Sequence, residues 1–438
     1  MSRHNSRNII EYADAVIVGA GASGLAAAIE LRMNDPSLSV VIIEKNDVPA
    51  RKIRATGNGR CNITNRNAEG YTEIMKFFTS IGLVTRTYEN GLVYPYSESA
   101  ADVAELLISR AEELGVRILT DAEVTSVRSA EGGSARFETS CEVKTPAGRK
   151  TCTITSAYLI LACGGKAGPT FGTTGDGYSI ARSLGHSIVT PVPVLTPVEC
   201  REWGSRDEND AVCLAGTRTR GKVTLIKNTD EDISSGDGAE LFMETGEIQF
   251  TKYGLSGICI FNMTRHMRYD RSKGESLEDF TVSADLFPDG DIAEYLRERQ
   301  KHAFPGEKTA DVLRTVLKEN IAGYVLKRAS GDAQEEHLAD RNVRDLRSTD
   351  ILSISHQVHG LTFHPQRLKG WKDAQATSGG VSLDELDPVT GGSLITLGLF
   401  ITGELADRDY MCGGYNLSNA WLTGIGAAHA ILTSDSHK

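Results

Sequence analysis

The stretch from Asp14 to Glu44 reads DAVIVGAGASGLAAAIELRMNDPSLSVVIIE. Ala15 to Val18 is a short apolar run suited to a buried parallel strand. Gly19, Gly21 and Gly24 supply the spacing G-x-G-x-x-G. Ala22 to Met33 predicts a helix rich in alanine and leucine, stopped ahead of Asp35-Pro36. Val40 to Ile43 predicts a second strand, which ends in Glu44. Strand, glycine turn, helix, strand and acid together make a βαβ unit of the dinucleotide-binding kind. Gly19 serves the tight turn, Gly21 the approach of a pyrophosphate, and Gly24 the packing of helix on strand. The helix N-terminus offers unpaired N–H groups to phosphates. Glu44 can accept from both ribose hydroxyls and would repel a 2′-phosphate. Which dinucleotide is bound must come from the rest of the chain.

The 438 residues can bury a large core, with two or three domains as the expectation. A net charge of −11 provides no basic footprint for nucleic acid, so no nucleic-acid partner is expected. The opening MSRHNSRNIIEY lacks the apolar core of a signal peptide, and the apolar run Ala157 to Cys163 is too short to cross a bilayer. A cytoplasmic protein without a membrane span is the expectation. None of the eight cysteines has C-x-x-C spacing, so reduced thiols are expected rather than a redox dithiol or zinc site. His356, His359 and His364 match no standard ligand spacing, and no metal is assigned.

After the second strand, ARKIRATGNGRCNITN (Ala50 to Asn65) concentrates Arg51, Lys52, Arg54 and Arg60 around Gly57 and Gly59. Glycines beside cations let backbone approach an anionic ligand. Tyr71 to Ile81 and Ser99 to Leu114 read as helices, the latter opened by a Ser99-x-x-Asp102 box. Strands are expected at Val116–Leu119 and Glu123–Val127. A meander follows at Arg136–Lys144 and Lys150–Thr155, and a separate core strand at Ala157–Cys163 ends in Gly164-Gly165. From Pro191 to Leu286 the pattern is strand-like, beginning with Val192–Val198 and broken by acidic turns such as Asn228 to Gly238. Helices are expected at Asp291–His302, Lys308–Glu319 and Ile321–Ala329. The tail carries TSGGVSLDELDP, a strand at Leu399–Thr402, Gly403-Glu404, and a closing Ala/Gly/Leu helix.

The expected fold is therefore α/β. A Rossmann dinucleotide-binding domain of the two-dinucleotide type, with a β-meander, occupies 1–190 and 365–438. An inserted β-barrel-like domain takes 191–288 and 350–364, with a small helical cap over 289–349.

Six segments together resemble one family, the BaiN-like flavoproteins, NAD(P)/FAD-dependent oxidoreductases that include bile-acid reductases. They are ATGNGRCNITN (Ala55 to Asn65), LILACGG (Leu159 to Gly165), GTTGDGYSIARSLGH (Gly172 to His186), GEIQFTKYGLSG (Gly246 to Gly257), SGGVSLDEL (Ser378 to Leu386) and LFITGELADRDYMCGGYNLSNAW (Leu399 to Trp421). The resemblance implies FAD bound along its full length. Gly19, Ala20, Gly21, Ala22, Ser23 and Gly24 would lie at the pyrophosphate, with Glu44 and Lys45 at the adenosine side. Arg51, Lys52, Gly59, Arg60 and Cys61 would run along the diphosphate and flavin. Val124 would meet the adenine through its backbone, and Ala162, Gly164 and Gly165 would form a turn over the cofactor. Gly403 and Glu404 would bind the ribitol. Gly413, Gly414, Asn416 and Leu417 would open the closing helix toward the flavin pyrimidine ring, stabilising negative charge there. The chain departs from the family pattern at Ala50, Lys252 and Ile258.

The function this implies is FAD-dependent reduction of an activated C=C bond in a small apolar enone such as a 3-oxo bile acid. NAD(P)H would be a transient electron donor, since Gly424-Ile425-Gly426 does not follow a strand and makes no second fingerprint. Tyr410 and Tyr415 are the proton-donor candidates by location, and a packed aromatic with a satisfied hydroxyl is the equal alternative. Phe250 to Asn262, with Tyr253, Leu255, Ile258, Ile260 and Phe261, reads either as an apolar wall for the substrate or as a buried strand. Two other enzyme readings stay open. One is a fumarate-reductase-like dicarboxylate enzyme, which lacks its histidine because Ala376 and Thr377 stand in its place. The other is an amine or aminoketone oxidase. An RNA-modifying accessory protein is disfavoured by the charge.

Overall fold

Ile9–Val18 is the axis of a seven-stranded sheet. It pairs in parallel with Val40–Ile43 on one side, from Ala15↔Val40 to Val18↔Ile43. On the other side it pairs in parallel with Gly148–Leu161, from Ile9↔Cys152 to Val18↔Leu161. Arg117–Leu119 extends the parallel side beyond Val40–Ile43. Phe137–Thr145 and Ala122–Ser129 add the antiparallel meander, and Leu399–Ile401 returns in parallel beside Leu159–Leu161. Strands covered on both faces need no polar alternation, and Val16 and Ile17 are fully buried.

This computed structural model describes residues 9–130, 135–203, 211–228, 238–269, 274–331 and 337–435. The acidic turn expected from Asn228 to Gly238 lies, over 229–237, outside them. Two compact units emerge: Met1–Pro193 with Gln375–Lys438, and Val194–Ala374. In the first, the fingerprint helix Ala22–Asn34 is buried along Leu25 to Ile29 because it shares one core with the closing helix Tyr415–Asp435. A Cβ on Gly424 would fall 2.3 Å from the Ser23 carbonyl oxygen, so this glycine sets the helix crossing rather than a second nucleotide turn.

Two expectations about this unit need correction. The meander strand and the core strand are one element of 14 residues, Gly148–Leu161, since no turn residue separates Thr155 from Ala157. Val192–Val198 is not a strand of the inserted domain. Ile188–Val194 instead forms a two-stranded sheet with Ala376–Val381, and the latter strand is buried throughout. Ser99 does cap its helix: Asp102 N donates to Ser99 Oγ at 3.2 Å.

The second unit is a seven-stranded antiparallel sheet. Its path begins at Leu361–Phe363 and ends at Pro365–Leu368, strands separated only by His364, so its two ends meet and the sheet curls barrel-like. The helices Ile292–His302, Glu319–Ser330 and Ser348–His359 pack Leu296, Val325 and Ile354 into the same core as Val223, Phe250 and Phe363. The helical part expected over 289–349 has no separate core. Phe250 to Asn262 is neither a continuous strand nor an open wall: it holds the short strand Gly254–Ser256 and the helix Ile258–Thr264. Leu255 and Ile260 are buried in that core, whereas Ile258 is exposed.

Candidate functional site

The glycine turn separates its three jobs by geometry. A Cβ on Gly19 would lie 2.5 Å from the Ala162 carbonyl oxygen, and one on Gly24 only 2.1 Å from that of Gly19. A Cβ on Gly21 would meet nothing within 4 Å. The first and third glycines therefore close the protein on itself, and the second faces open space. No side chain caps the fingerprint helix and its first turn holds no acid, so its N-terminal donors remain available to an anion.

Glu44 is buried and held by the turn it serves. Its Oε2 accepts from Ala20 N at 2.8 Å, and its Oε1 from Asn46 N at 2.9 Å and Asn46 Nδ2 at 2.6 Å. Ser23 is also inside: Thr402 Oγ1 donates to its Oγ at 3.1 Å, and a Cβ on Gly403 would come within 3.1 Å of the same atom. Residues 379 positions apart thus join the fingerprint to the late glycine-acid turn. Gly403 N donates to Thr423 Oγ1 at 2.9 Å, and Glu404 Oε1 accepts from Thr377 N at 2.7 Å. Ala162 N donates to Val18 O, and Gly164 has a positive φ of 71°. A Cβ on Gly165 would strike Thr377 Oγ1 at 2.4 Å and Glu404 Oε1 at 2.8 Å.

The cations behave differently from a set of open phosphate ligands, because each has an acidic partner. Lys45 bonds Thr174 Oγ1 at 2.6 Å and pairs with Asp176. Arg51 pairs with Asp47, Lys52 with Glu404 at 2.7 Å, and Arg54 with Glu105 at 2.9 Å. Arg60 is 3.9 Å from Glu98 and lies over the Tyr94 ring. Cys61 is fully buried, burial pushes its thiol up to about 11, and its N–H donates to Thr56 O at 3.0 Å. Gly59 faces open space. Val124 is half-buried and stands opposite Cys141 in the meander.

At the start of the closing helix, Gly413 and Gly414 have φ of 118° and 96°. Asn416 latches the preceding loop: Tyr410 N donates to its Oδ1 at 3.1 Å and its Nδ2 donates to Tyr410 O at 2.8 Å. Tyr410, Tyr415 and Leu417 are half-buried, and the Tyr415 ring packs 3.4 Å from where a Cβ on Gly413 would be. The basic loop is fastened to this helix. Asn65 Nδ2 donates to Gly413 O at 3.2 Å, and Trp421 Nε1 to Ile63 O at 3.0 Å. Asn65, Trp421 and, beside Gly414, Asn62 were missed from the sequence. The signal for Asn62 and Asn65 was their place within one motif, G-x-G-R-C-N-x-T-N, and that for Trp421 its place at the end of C-G-G-Y-N-L-S-N-A-W. His359 and His364 turn instead to Asp285 and Glu202, and no group of three potential metal ligands occurs among the described residues.

Sheet, fingerprint turn, meander and late glycine-acid turn define an α/β protein with a Rossmann-type FAD-binding domain. The chain belongs to the family described as HI0933-like protein Rossmann domain, whose model matches residues 13–72 and 68–430. It is 31% identical over 437 residues to the 3-dehydro-bile acid delta(4,6)-reductase of Clostridium scindens, covering 94% of this chain and 98% of that one. It is 24% identical over 439 residues to the ribosomal RNA dihydrouridine synthase of Haemophilus influenzae, covering 96% of this chain and 99% of that one. Among solved structures it is similar to the quinol fumarate reductase of E. coli, with TM-score 0.48, 15% identity and coverage of 98% of this chain and 71% of that one. No helix among the described residues is long and apolar enough to cross a membrane.

Proposed function

We propose that the chain is an FAD-dependent oxidoreductase that reduces a C=C bond conjugated to a carbonyl, with a 3-oxo steroid such as a bile-acid enone as substrate and NAD(P)H as electron donor. The observation that carries this is the likeness to the bile-acid reductase, which runs over nearly the whole of both chains. The site fits FAD on two counts: open space at Gly21 beside an uncapped helix start, and a buried acid, Glu44, behind it. Because each nearby cation has an acidic partner, backbone N–H groups would carry most of the diphosphate recognition. Bound and reduced, FAD supplies the hydride equivalent. Gly59 and the Cys61 backbone would lie along the cofactor, Val124 beside the adenine, and Gly403 and Glu404 at the ribitol. Gly413, Gly414 and Leu417 would meet the flavin end, with Asn416 holding the Tyr410 loop in place. Tyr410 or Tyr415 would give the proton to the substrate's α-carbon.

The dihydrouridine synthase relative supports a second reading. The C5=C6 bond of uridine is also conjugated to a carbonyl, so hydride and proton addition there is the same chemistry on an RNA substrate. The net charge of −11 favours the small apolar substrate. The test is to reduce the flavin anaerobically with NADH or NADPH, then mix it with a 3-oxo-Δ4 steroid, unmodified ribosomal RNA or fumarate. Reoxidation by the steroid is expected. Reoxidation by RNA alone would establish the second reading, and by fumarate alone a dicarboxylate enzyme.

A further inference from the structure

Asn62 is the polar side chain that the framework just described leaves unused. It is 9% exposed and its Oδ1 has no hydrogen-bond partner. Both sides of it are fixed. A Cβ on Gly57 would sit 2.8 Å from Asn62 N, and a Cβ on Gly414 3.1 Å from Asn62 Nδ2. The chain around it runs through left-handed backbone at Gly57, Asn58, Gly59 and Cys61, with Cys61 at φ 59°. Such backbone costs free energy and persists where surrounding contacts enforce it. Here Ile63 N bonds Val93 O, and Thr64 is tied to the closing helix. The carboxamide is thereby held with its nitrogen at the start of a 21-residue helix whose first turn carries no acid.

A buried amide with an unsatisfied oxygen weakens the fold relative to an apolar side chain of the same shape. Packing therefore gives no reason for its polarity, whereas its position does. Its N–H groups add to the helix's own unpaired donors at the spot where negative charge is favoured. We infer that Asn62 is a cofactor-binding residue. Its Oδ1, which has no partner in the protein, accepts from the flavin N3–H while its Nδ2 donates to the adjoining C2=O; with the helix start at Gly414 this favours the reduced over the oxidised cofactor. This rests on the FAD reading above and extends it to a residue that sets the flavin's potential.

The experiment compares wild type with Asn62→Leu and Asn62→Asp, measuring FAD uptake, flavin midpoint potential and melting of the FAD-free proteins. Asn62→Leu should still take up FAD, with about a tenfold weaker preference for the reduced form, a midpoint lower by about 30 mV. Asn62→Asp, similar in shape but without N–H donors, should fall at least as far. FAD-free Asn62→Leu should melt no lower than wild type, which a merely structural amide would not allow. Wild-type potentials in both FAD-loaded variants would overturn this inference and leave the cofactor reading standing. A wild-type protein that takes up no FAD would overturn both.

Discussion

The side-chain hydroxyls of Thr64 and Ser418, 354 positions apart, share a hydrogen bond of 2.7 Å. Thr64 is 0% exposed and Ser418 is 3%. The bond fastens the basic loop after the fingerprint to the helix that ends the chain, so the two stretches expected at the flavin end cannot move independently. Ser418 also donates to Gly414 O at 2.9 Å, which fixes the turn of the helix start. Removing either hydroxyl leaves a buried polar partner, at a cost of about 1–3 kcal/mol. Thr64→Val and Ser418→Ala should each destabilise by that order. The double variant should lose less than the sum by about 1 kcal/mol. Denaturant unfolding checks this, and strict additivity would contradict the pairing.

Gly21 and Gly24 should separate binding from stability. An alanine at Gly21 meets only open space, so the FAD-free protein should melt as wild type does. FAD affinity should fall at least tenfold, about 1.4 kcal/mol. An alanine at Gly24 would press on the Gly19 carbonyl oxygen at 2.1 Å and should lower the melting temperature of the FAD-free protein itself. Calorimetry with and without FAD reads both effects. Equal losses of stability would refute the division of labour.

In the second unit, Asp350 is 2% exposed and gathers Arg347 and Arg341. The Arg347 hydrogen bond, with the charge of Arg341, holds its carboxyl below the usual carboxylate range. A carboxyl depressed on folding contributes stability above its unfolded value, near pH 4, and that stability is lost as pH falls through the lower folded value. Asp350→Asn should therefore cost on the order of 3 kcal/mol at pH 7. The difference from wild type should shrink as pH drops below about 4. Unfolding curves across pH test it, and a pH-independent difference would argue against the ion cluster.

Thiol chemistry should follow burial. Burial pushes the Cys61 and Cys259 thiols up to about 11, and those of Cys141 and Cys163 up to about 12. Cys213 is exposed. Iodoacetamide at pH 7.5 should label Cys213 first and leave these four intact until unfolding, as followed by peptide mass spectrometry. Early labelling of Cys61 would mean that the loop opens.

The fingerprint was legible because a βαβ unit is encoded locally: strand, glycines, helix and Glu44 all fall within 14–44. The late glycine-acid turn was legible through its motif. What the sequence could not show are long-range choices. Lys52 pairs with Glu404 across 352 positions, and nothing in RKIR marks which carboxylate each cation will meet. Ile188–Val194 chose Ala376–Val381 as partner, and a β-branched run does not name the strand it will join. Asn62 was passed over because a polar residue in a glycine-rich loop reads as solvated. Only packing between Gly57 and Gly414 shows that it is buried.

One cofactor shared by the Gly19–Gly24 turn, Glu44 and the Gly403–Glu404 turn underlies the proposed function. The measurement is the flavin released from the purified protein by denaturation, identified and quantified by absorbance and chromatography, with FAD added to whatever emerges empty. The expected result is FAD, non-covalent and approaching one per chain, with uptake at least tenfold weaker in Gly21→Ala. A colourless protein that neither binds nor is stabilised by FAD would contradict it, as would a bound flavin whose affinity is unchanged by Gly21→Ala.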